Sequence, residues 1–151
     1  MAQSLSRIWS HLVFSTKDRH PFLSDGDARN QLFAYMATIL RNHDCPTLQI
    51  GGAPDHIHAL FLLSKNCSIA QIVYEVKRSS SKWIKTQGQT YEKFHWQSGY
   101  GAFSVSQSHV EQVRRYILKQ EQHHRKTTFQ DEYREFLRRY DVDYDERYVW
   151  G

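Results

Sequence analysis

Two histidines one residue apart, His56 and His58, lie in the apolar run PDHIHALF (Pro54–Phe61). Residues i and i+2 of a strand face the same way, so the two imidazoles stand side by side while Ile57, Ala59 and Phe61 face the other side. A pair of neutral imidazoles on a rigid strand is half of a metal site. The plainer alternative is two partly exposed histidines on a sheet surface. A second group lies in VRRYILKQEQHH (Val113–His124), which reads as helix with Val110, Val113 and Ile117 as its apolar stripe. At helical pitch His109, Gln112, Tyr116, Gln120 and His123 line one narrow side, and Tyr116 and Gln120, four apart, are neighbours. The alternative there is a tyrosine that packs by its ring and a glutamine that caps a loop.

The residue types suggest one chemistry. A tyrosine hydroxyl, with a pKa of about 10, is a poor nucleophile at neutral pH and needs a cation near the reaction centre. His56 and His58 can supply two metal ligands and the Gln120 carbonyl oxygen a third. Such a mixed nitrogen and oxygen set leaves positions open for water and a phosphate oxygen. It favours Mg²⁺ or Mn²⁺, with Mn²⁺ tolerating imidazole better. Gln120 shares a helix with Tyr116, so it completes the site only when that helix docks. Asp55, next to His56, points to the opposite face if the strand has begun, and orienting a backbone group or a turn is its expected role, direct metal contact the other. His123 and His124 are expected to sit favourably at a helix end, with contact to phosphate or metal as the alternative.

These groups need a scaffold. Arg7–Phe14 reads as a first strand. Ser24 or Asp25 caps a helix with Leu32, Phe33, Met36, Ile39 and Leu40 at a 3.6-residue period. Pro46 and Gly51–Gly52 bracket a strand over Thr47–Ile50, and His56–Leu63 forms the third. Ser68 with Gln71 makes a capping box for a helix that turns Ile69, Ile72, Val73, Val76, Trp83 and Ile84 inward. Phe94–Val105 gives a fourth strand interrupted by Gly99 and Gly101. The final helix, around Phe129–Tyr140, is amphipathic through Phe129, Tyr133, Phe136, Leu137 and Tyr140. The order is β-α-β-β-α-β followed by helices, an α+β, ferredoxin-like plan with an antiparallel sheet. RNA-recognition domains share that plan and bind nucleic acid on the sheet face, which here would carry the histidines.

Composition narrows the partners. At 151 residues the chain is most simply one domain, able to bury about two-thirds of its unfolded surface. No apolar run is long enough to span a membrane and no signal-peptide pattern stands out, so a cytoplasmic setting is expected. Cys45 and Cys67 are far apart, which fits a reduced compartment. The net charge of +4 and pI near 9.1 suggest a polyanionic partner. Tyrosine is abundant, and exposed aromatics among basic residues suit stacking on single strands. Lys17 and Arg19, after the first strand, are candidate phosphate contacts. So are Lys77, Arg78 and Lys82, which lie largely off the apolar stripe of their helix. Surface solvation is the alternative for each. No P-loop signature is present, and no nucleotide cofactor is expected.

A histidine–hydrophobic–histidine strand followed by a helical Y-I-x-x-Q resembles the single-tyrosine HUH transposases of the smallest, IS200-like insertion sequences. The resemblance extends over HLVFSTKDRHP (His11–Pro21), the PDHIH segment, VYEVKRSSSKWI (Val73–Ile84), FHWQSGYGAFSVS (Phe94–Ser106), YILKQEQHH and YDVDYDERYVW (Tyr140–Trp150). It implies a transposase domain over 1–151 in which Tyr116 is the catalytic nucleophile and His56, His58 and Gln120 hold the metal. It also implies cutting and rejoining of single-stranded DNA beside imperfect hairpins, through a 5′-phosphotyrosine that leaves a 3′-OH. It further implies homodimers whose sites combine the histidines of one subunit with the tyrosine helix of the other, and a protein nucleoid-associated when on DNA. Two other readings stay open. One is a domesticated or non-catalytic hairpin-binding protein on the same fold. The other is a replication or conjugation initiator with the same chemistry, though such proteins are usually larger and multi-domain.

Overall fold

The computed structural model describes residues 2–151. Its centre is a four-stranded antiparallel sheet: β1 (Ile8–Ser15), β2 (Thr47–Ala53), β3 (His56–Leu63) and β4 (Gly101–Val105), in the order β2-β3-β1-β4. With α1 (Gly26–Asn42) after β1 and α2 (Ile69–Lys85) after β3, this is the expected α+β, ferredoxin-like arrangement. Three further helices follow: α3 (Val110–Leu118), α4 (Gln120–His123) and α5 (Phe129–Arg139).

Local signals start the helices where the sequence places them. Asp25, not Ser24, caps α1 by accepting from the backbone N–H groups of Asp27 and Ala28. Ser68 and Gln71 form the full capping box of α2. Thr128 caps α5 through the Asp131 N–H.

Alternation along β1 and β3 then assigns two different interiors. Leu12, Phe14, Ile57, Ala59 and Phe61 pack with Leu32, Met36 and Leu40 of α1 and Ile72, Val73 and Val76 of α2. On the opposite face, Val13 and Phe103 meet Phe129, Tyr133, Phe136 and Leu137 of α5. There too Trp9, Leu60 and Val105 meet Val110 and Ile117 of α3. The sheet therefore has helices on both faces. The sheet face of an RNA-recognition domain is open for ligand; the corresponding face here lies under α3, α4 and α5.

Three boundaries differ from the sequence reading. Gly51 and Gly52 do not end β2, which runs through them to Ala53, paired with His58, Ile57 and His56. The expected strand over Phe94–Val105 is reduced to Gly101–Val105, with one isolated bridge from Trp96 to Thr16. The Gln97 N–H still reaches the Ser15 carbonyl of β1, but the Ser15 N–H goes to the Gln97 side chain and the Gly99 N–H to the Gly151 carbonyl, so the ladder is not continued. The helix expected through Val113–His124 breaks at Lys119, whose backbone (φ −99°, ψ 14°) leaves the helical region.

Candidate active site

The two strand histidines do share a face, and it is the face covered by α3–α5. His56 and His58 are fully buried, with ring centroids 5.2 Å apart. Each is held from behind. Asp55 Oδ1 lies 2.7 Å from His56 Nδ1. Asp55 precedes β3 in the turn, so strand alternation does not send it to the far side; it accepts a hydrogen bond from His56 Nδ1–H, which leaves the Nε2 lone pair facing inward. Behind His58 stands His11 of β1, with its Nε2 2.8 Å from His58 Nδ1. Burial pulls His11 well below the ordinary histidine range, so it is neutral near pH 7. His58 is also lowered, by burial first, with the nearby Glu132 charge acting against it.

Tyr116 and Gln120 arrive from α3 and α4. The approach is close: a Cβ on Gly51 of β2 would lie 2.5 Å from the Ile117 carbonyl oxygen, nearer than real side chains come. Glycine at 51 is what lets the tyrosine helix lie on the sheet. Buried Arg29 of α1 donates to the Leu23 carbonyl at 2.7 Å and to the Glu121 carboxylate, tying α4 to the start of α1. The break at Lys119 does not separate the pair. Gln120 Oε1 sits 3.1 Å from His56 Nε2, and Tyr116 stacks edge-on to His58 with centroids 5.8 Å apart. Tyrosine and histidines belong to one chain, so an exchange of helices between subunits is not needed to assemble them.

The centre of the constellation is a residue that the sequence reading passed over. Glu132 of α5 is buried, and one carboxylate serves two sets of partners. Its Oε1 is 2.9 Å from His58 Nε2, 3.0 Å from His124 Nε2 and 3.6 Å from His56 Nε2. Its Oε2 accepts from the Tyr116 hydroxyl and, at 3.2 Å, from the Gln120 amide. His123 Nε2 is 3.3 Å from the same Oε2. Burial alone would raise the Glu132 carboxyl. The charge of His58 and the close imidazoles of His124 and His58 outweigh it and hold the carboxyl far below its usual range. The Tyr116 hydroxyl is pushed well above its usual value by burial and then by the Glu132 charge. A positive charge beside the hydroxyl is what this arrangement needs before Tyr116 can ionise.

A divalent cation fits. The Gln120 amide is committed to Glu132, so its oxygen faces the inward lone pair of His56, two acceptors 3.1 Å apart. A shared cation satisfies both. His124 Nε2 is buried and makes no hydrogen bond; its 3.0 Å approach to Glu132 is off the line of one. His124 is the helix-end residue expected, the C-cap of α4 with its N–H on the Gln120 carbonyl, and from there its ring lies over His56, at 4.2 Å between centroids. The signal for Glu132 was present: it lies on the apolar stripe of α5, three residues after Phe129 and four before Phe136. A charged residue facing a core needs a partner. His11 gave no such signal, since its importance comes only from the pairing of β1 with β3.

The basic candidates lie elsewhere. Lys17 and Arg19 line a separate groove of about 710 Å³ with Lys93 and His95. Arg19 also donates to the Trp150 carbonyl at 3.0 Å. Lys77, Arg78 and Lys82 belong to α2, on the sheet's other side. Lys77 Nζ donates to the carbonyls of Gln97, Ser98 and Gly99 at 2.7, 3.2 and 2.7 Å. Arg78 pairs with Glu75 at 3.0 Å, and Lys82 is exposed. A groove of about 490 Å³ does reach Tyr116, between β4, α3 and α5, with His109, Gln112, Arg139 and Tyr140 on its walls.

Comparison with known proteins agrees with this fold. A crystal structure of a candidate transposase from Deinococcus radiodurans R1 superposes with a TM-score of 0.62 at 21% identity, covering 80% of this chain and 96% of that one. A REP-associated tyrosine transposase, solved bound to a REP hairpin, superposes with a TM-score of 0.55 at 12% identity, covering 79% of this chain and 72% of that one. At such identities the likeness is one of fold. No curated protein sequence matches the chain closely enough to carry an inference. The family pattern described as "Transposase IS200 like" matches residues 4–120, a span that holds His56, His58, Tyr116 and Gln120. The chain belongs to the IS200-like transposase family.

Proposed function

We propose that this chain cuts and rejoins single-stranded DNA beside hairpins, through a covalent bond between Tyr116 and a 5′ phosphate. The observation that carries the reading is convergence. The Tyr116 hydroxyl, the Gln120 amide and the His58 imidazole all meet one buried carboxylate, with His56 alongside.

In the forward step the Tyr116 oxygen bonds phosphorus and the bond from phosphorus to the 3′ oxygen breaks. The Tyr116 hydroxyl passes its proton to the Glu132 carboxylate it already donates to, and the leaving 3′ oxygen takes up one proton to become a 3′-OH, so none is gained or lost overall. One phosphodiester replaces another, so the reverse step rejoins DNA without a nucleoside triphosphate. His56, His58 and Gln120 would hold a divalent ion, Mg²⁺ or Mn²⁺, which would supply Lewis-acid polarisation of the scissile phosphate and a positive charge beside the tyrosine. Asp55 and His11 keep the two imidazoles in the orientation and tautomer that ligation needs. The groove beside Tyr116 gives the strand a path to the nucleophile. The hairpin-bound structural neighbour supports a hairpin as the recognised feature. Homodimers fit the family resemblance, and the intrachain placement of Tyr116 favours a complete site in each subunit. Lys17 and Arg19, and on the far side Lys77, Arg78 and Lys82, are proposed to add phosphate contacts away from the chemistry.

The test uses a labelled hairpin oligonucleotide with a single-stranded flank, incubated with Mn²⁺ and run on a denaturing protein gel. The wild type forms a covalent adduct and Tyr116→Phe does not. An adduct of equal yield from Tyr116→Phe removes this residue as the nucleophile. Hairpin binding without any adduct from the wild type favours the non-catalytic binding protein instead.

A further inference from the structure

Glu132 and His124 lie beyond residue 120, where the family pattern stops, yet they face the strand histidines. The ligand atoms of His56, His58, His124 and Glu132 all lie within 4.8 Å of one another. From Glu132 Oε1 the three imidazole nitrogens are 2.9, 3.0 and 3.6 Å away. Donors around a four-coordinate ion with bonds of 2.0–2.1 Å are separated by about 3.4 Å, so the distances to Glu132 already match and the farthest donors of the cluster, within 4.8 Å, must draw in to close on one ion. Several observations independent of distance point the same way. His124 Nε2 is buried without a hydrogen-bond partner. The contact between Asp55 and His56 Nδ1 leaves His56 Nε2 as a lone pair aimed inward. His11 Nε2, 2.8 Å from His58 Nδ1, can accept its N–H, which leaves His58 Nε2 as a lone pair in the same way.

Resting on the reading above, we infer that Glu132 and His124 are ligands together with His56 and His58. The site is then a three-imidazole, one-carboxylate pocket selective for a first-row transition ion such as Mn²⁺, Co²⁺ or Zn²⁺ over Mg²⁺. Three nitrogen donors suit those ions, whereas Mg²⁺ demands oxygen ligands and retains its waters. Gln120 then has two tasks. Its amide holds Glu132 Oε2, and its oxygen remains beside His56 as an additional donor. Glu132 becomes the physical link between ion and nucleophile, because one oxygen faces the imidazoles while the other receives the Tyr116 hydroxyl. Loss of α5 would therefore remove a ligand and the tyrosine's anchor in one stroke.

The test is metal binding to the full chain, read without DNA. Metal-free protein is titrated with Co²⁺, whose visible absorption reports coordination number and ligand type. The wild type should bind one equivalent with the strong bands of a four- or five-coordinate site, and Mn²⁺ or Zn²⁺ should displace it where Mg²⁺ at the same concentration does not. Glu132→Gln and His124→Phe should each weaken Co²⁺ binding by about tenfold or more and change the spectrum. Circular dichroism checks folding, and if Glu132→Gln fails to fold, His124→Phe, which keeps an aromatic ring over His56, decides the question. Wild-type affinity and spectrum in a folded variant, or Mg²⁺ competing as well as Mn²⁺, overturns the inference. The adduct assay separates the two readings. A wild type with the expected Co²⁺ spectrum and no adduct supports the metal site and overturns the strand-transfer reading. A Tyr116-dependent adduct together with unaltered Co²⁺ binding in Glu132→Gln and His124→Phe overturns the metal site and keeps the chemistry.

Discussion

The two faces of the sheet are made from the same strands, but only one of them interrupts its apolar packing with a cluster of polar groups. Against α1 and α2 the strands present Leu12, Phe14, Ile57, Ala59 and Phe61, and the helices answer with aliphatic side chains. Against α3–α5 the same strands present His11, His56 and His58, and the helices answer with Tyr116, Gln120, His124 and Glu132. Burying polar groups costs free energy unless each finds a partner, while apolar burial stabilises without regard to direction. The difference teaches where stability and function reside. One layer makes the fold robust, and that robustness allows the other to carry a costly, convergent set of titratable groups.

The comparison breaks most visibly through one substitution on each side. His58→Ala should reduce DNA cleavage by at least about a hundredfold, the scale of losing a group that stabilises developing charge. It should leave the α1–α2 layer folded by circular dichroism. Phe61→Ala, on the neighbouring strand face, should destabilise the protein by about 3–5 kcal/mol, read by denaturant unfolding. If His58→Ala instead unfolds the chain, the chemical face is also the structural one and the division fails.

Gly51→Val tests whether the tyrosine helix must lie on β2. A side chain there meets the Ile117 carbonyl, so adduct formation should fall sharply while the α1–α2 core keeps its near-ultraviolet signature. A mixture of Tyr116→Phe and His56→Ala proteins asks whose helix is docked. With Tyr116 on its own chain's histidines, every site keeps one defect and the mixture stays inactive. Recovered cleavage would show that α3 is exchanged between subunits.

The smallest effects belong to the other layer. Ser68→Ala removes half of the α2 capping box and should cost about 1 kcal/mol with cleavage unchanged. Lys77 supplies a pH test. Burial lowers its ammonium from 10.5 to about 8, so the folded chain releases this proton before the unfolded chain does. The penalty for holding the charge is complete below pH 8 and declines as pH rises from 8 to 10.5. The melting temperature of the wild type relative to Lys77→Met should therefore increase over that interval. A flat difference would mean that the three carbonyls around Nζ keep the charge in place.

Much of this division was legible in the sequence, for a physical reason in each case. Period-two alternation placed His56 and His58 together, and helical pitch placed Tyr116 beside Gln120, because both periodicities are local. The caps at Asp25 and Ser68 are local too. What escaped is long-range. Glu132 needs the return of α5 across the sheet, and His11 needs the register that sets it diagonally from His58. The end of β2 was misjudged because glycine's usual meaning as a strand breaker is overridden at Gly51 and Gly52, where strand pairing continues.

Gly51 has a consequence for descent. It sits on the edge strand of the sheet, where side chains ordinarily vary freely, yet the carbonyl pressing on it belongs to backbone and no change at position 117 can remove it. Relatives that dock the helix on their own β2 should thus retain glycine at the corresponding position. Relatives with a larger residue there should hold the helix away from that strand, as in an exchange between two copies. A single column in a family alignment would then distinguish lineages that complete the site alone from those that complete it in pairs.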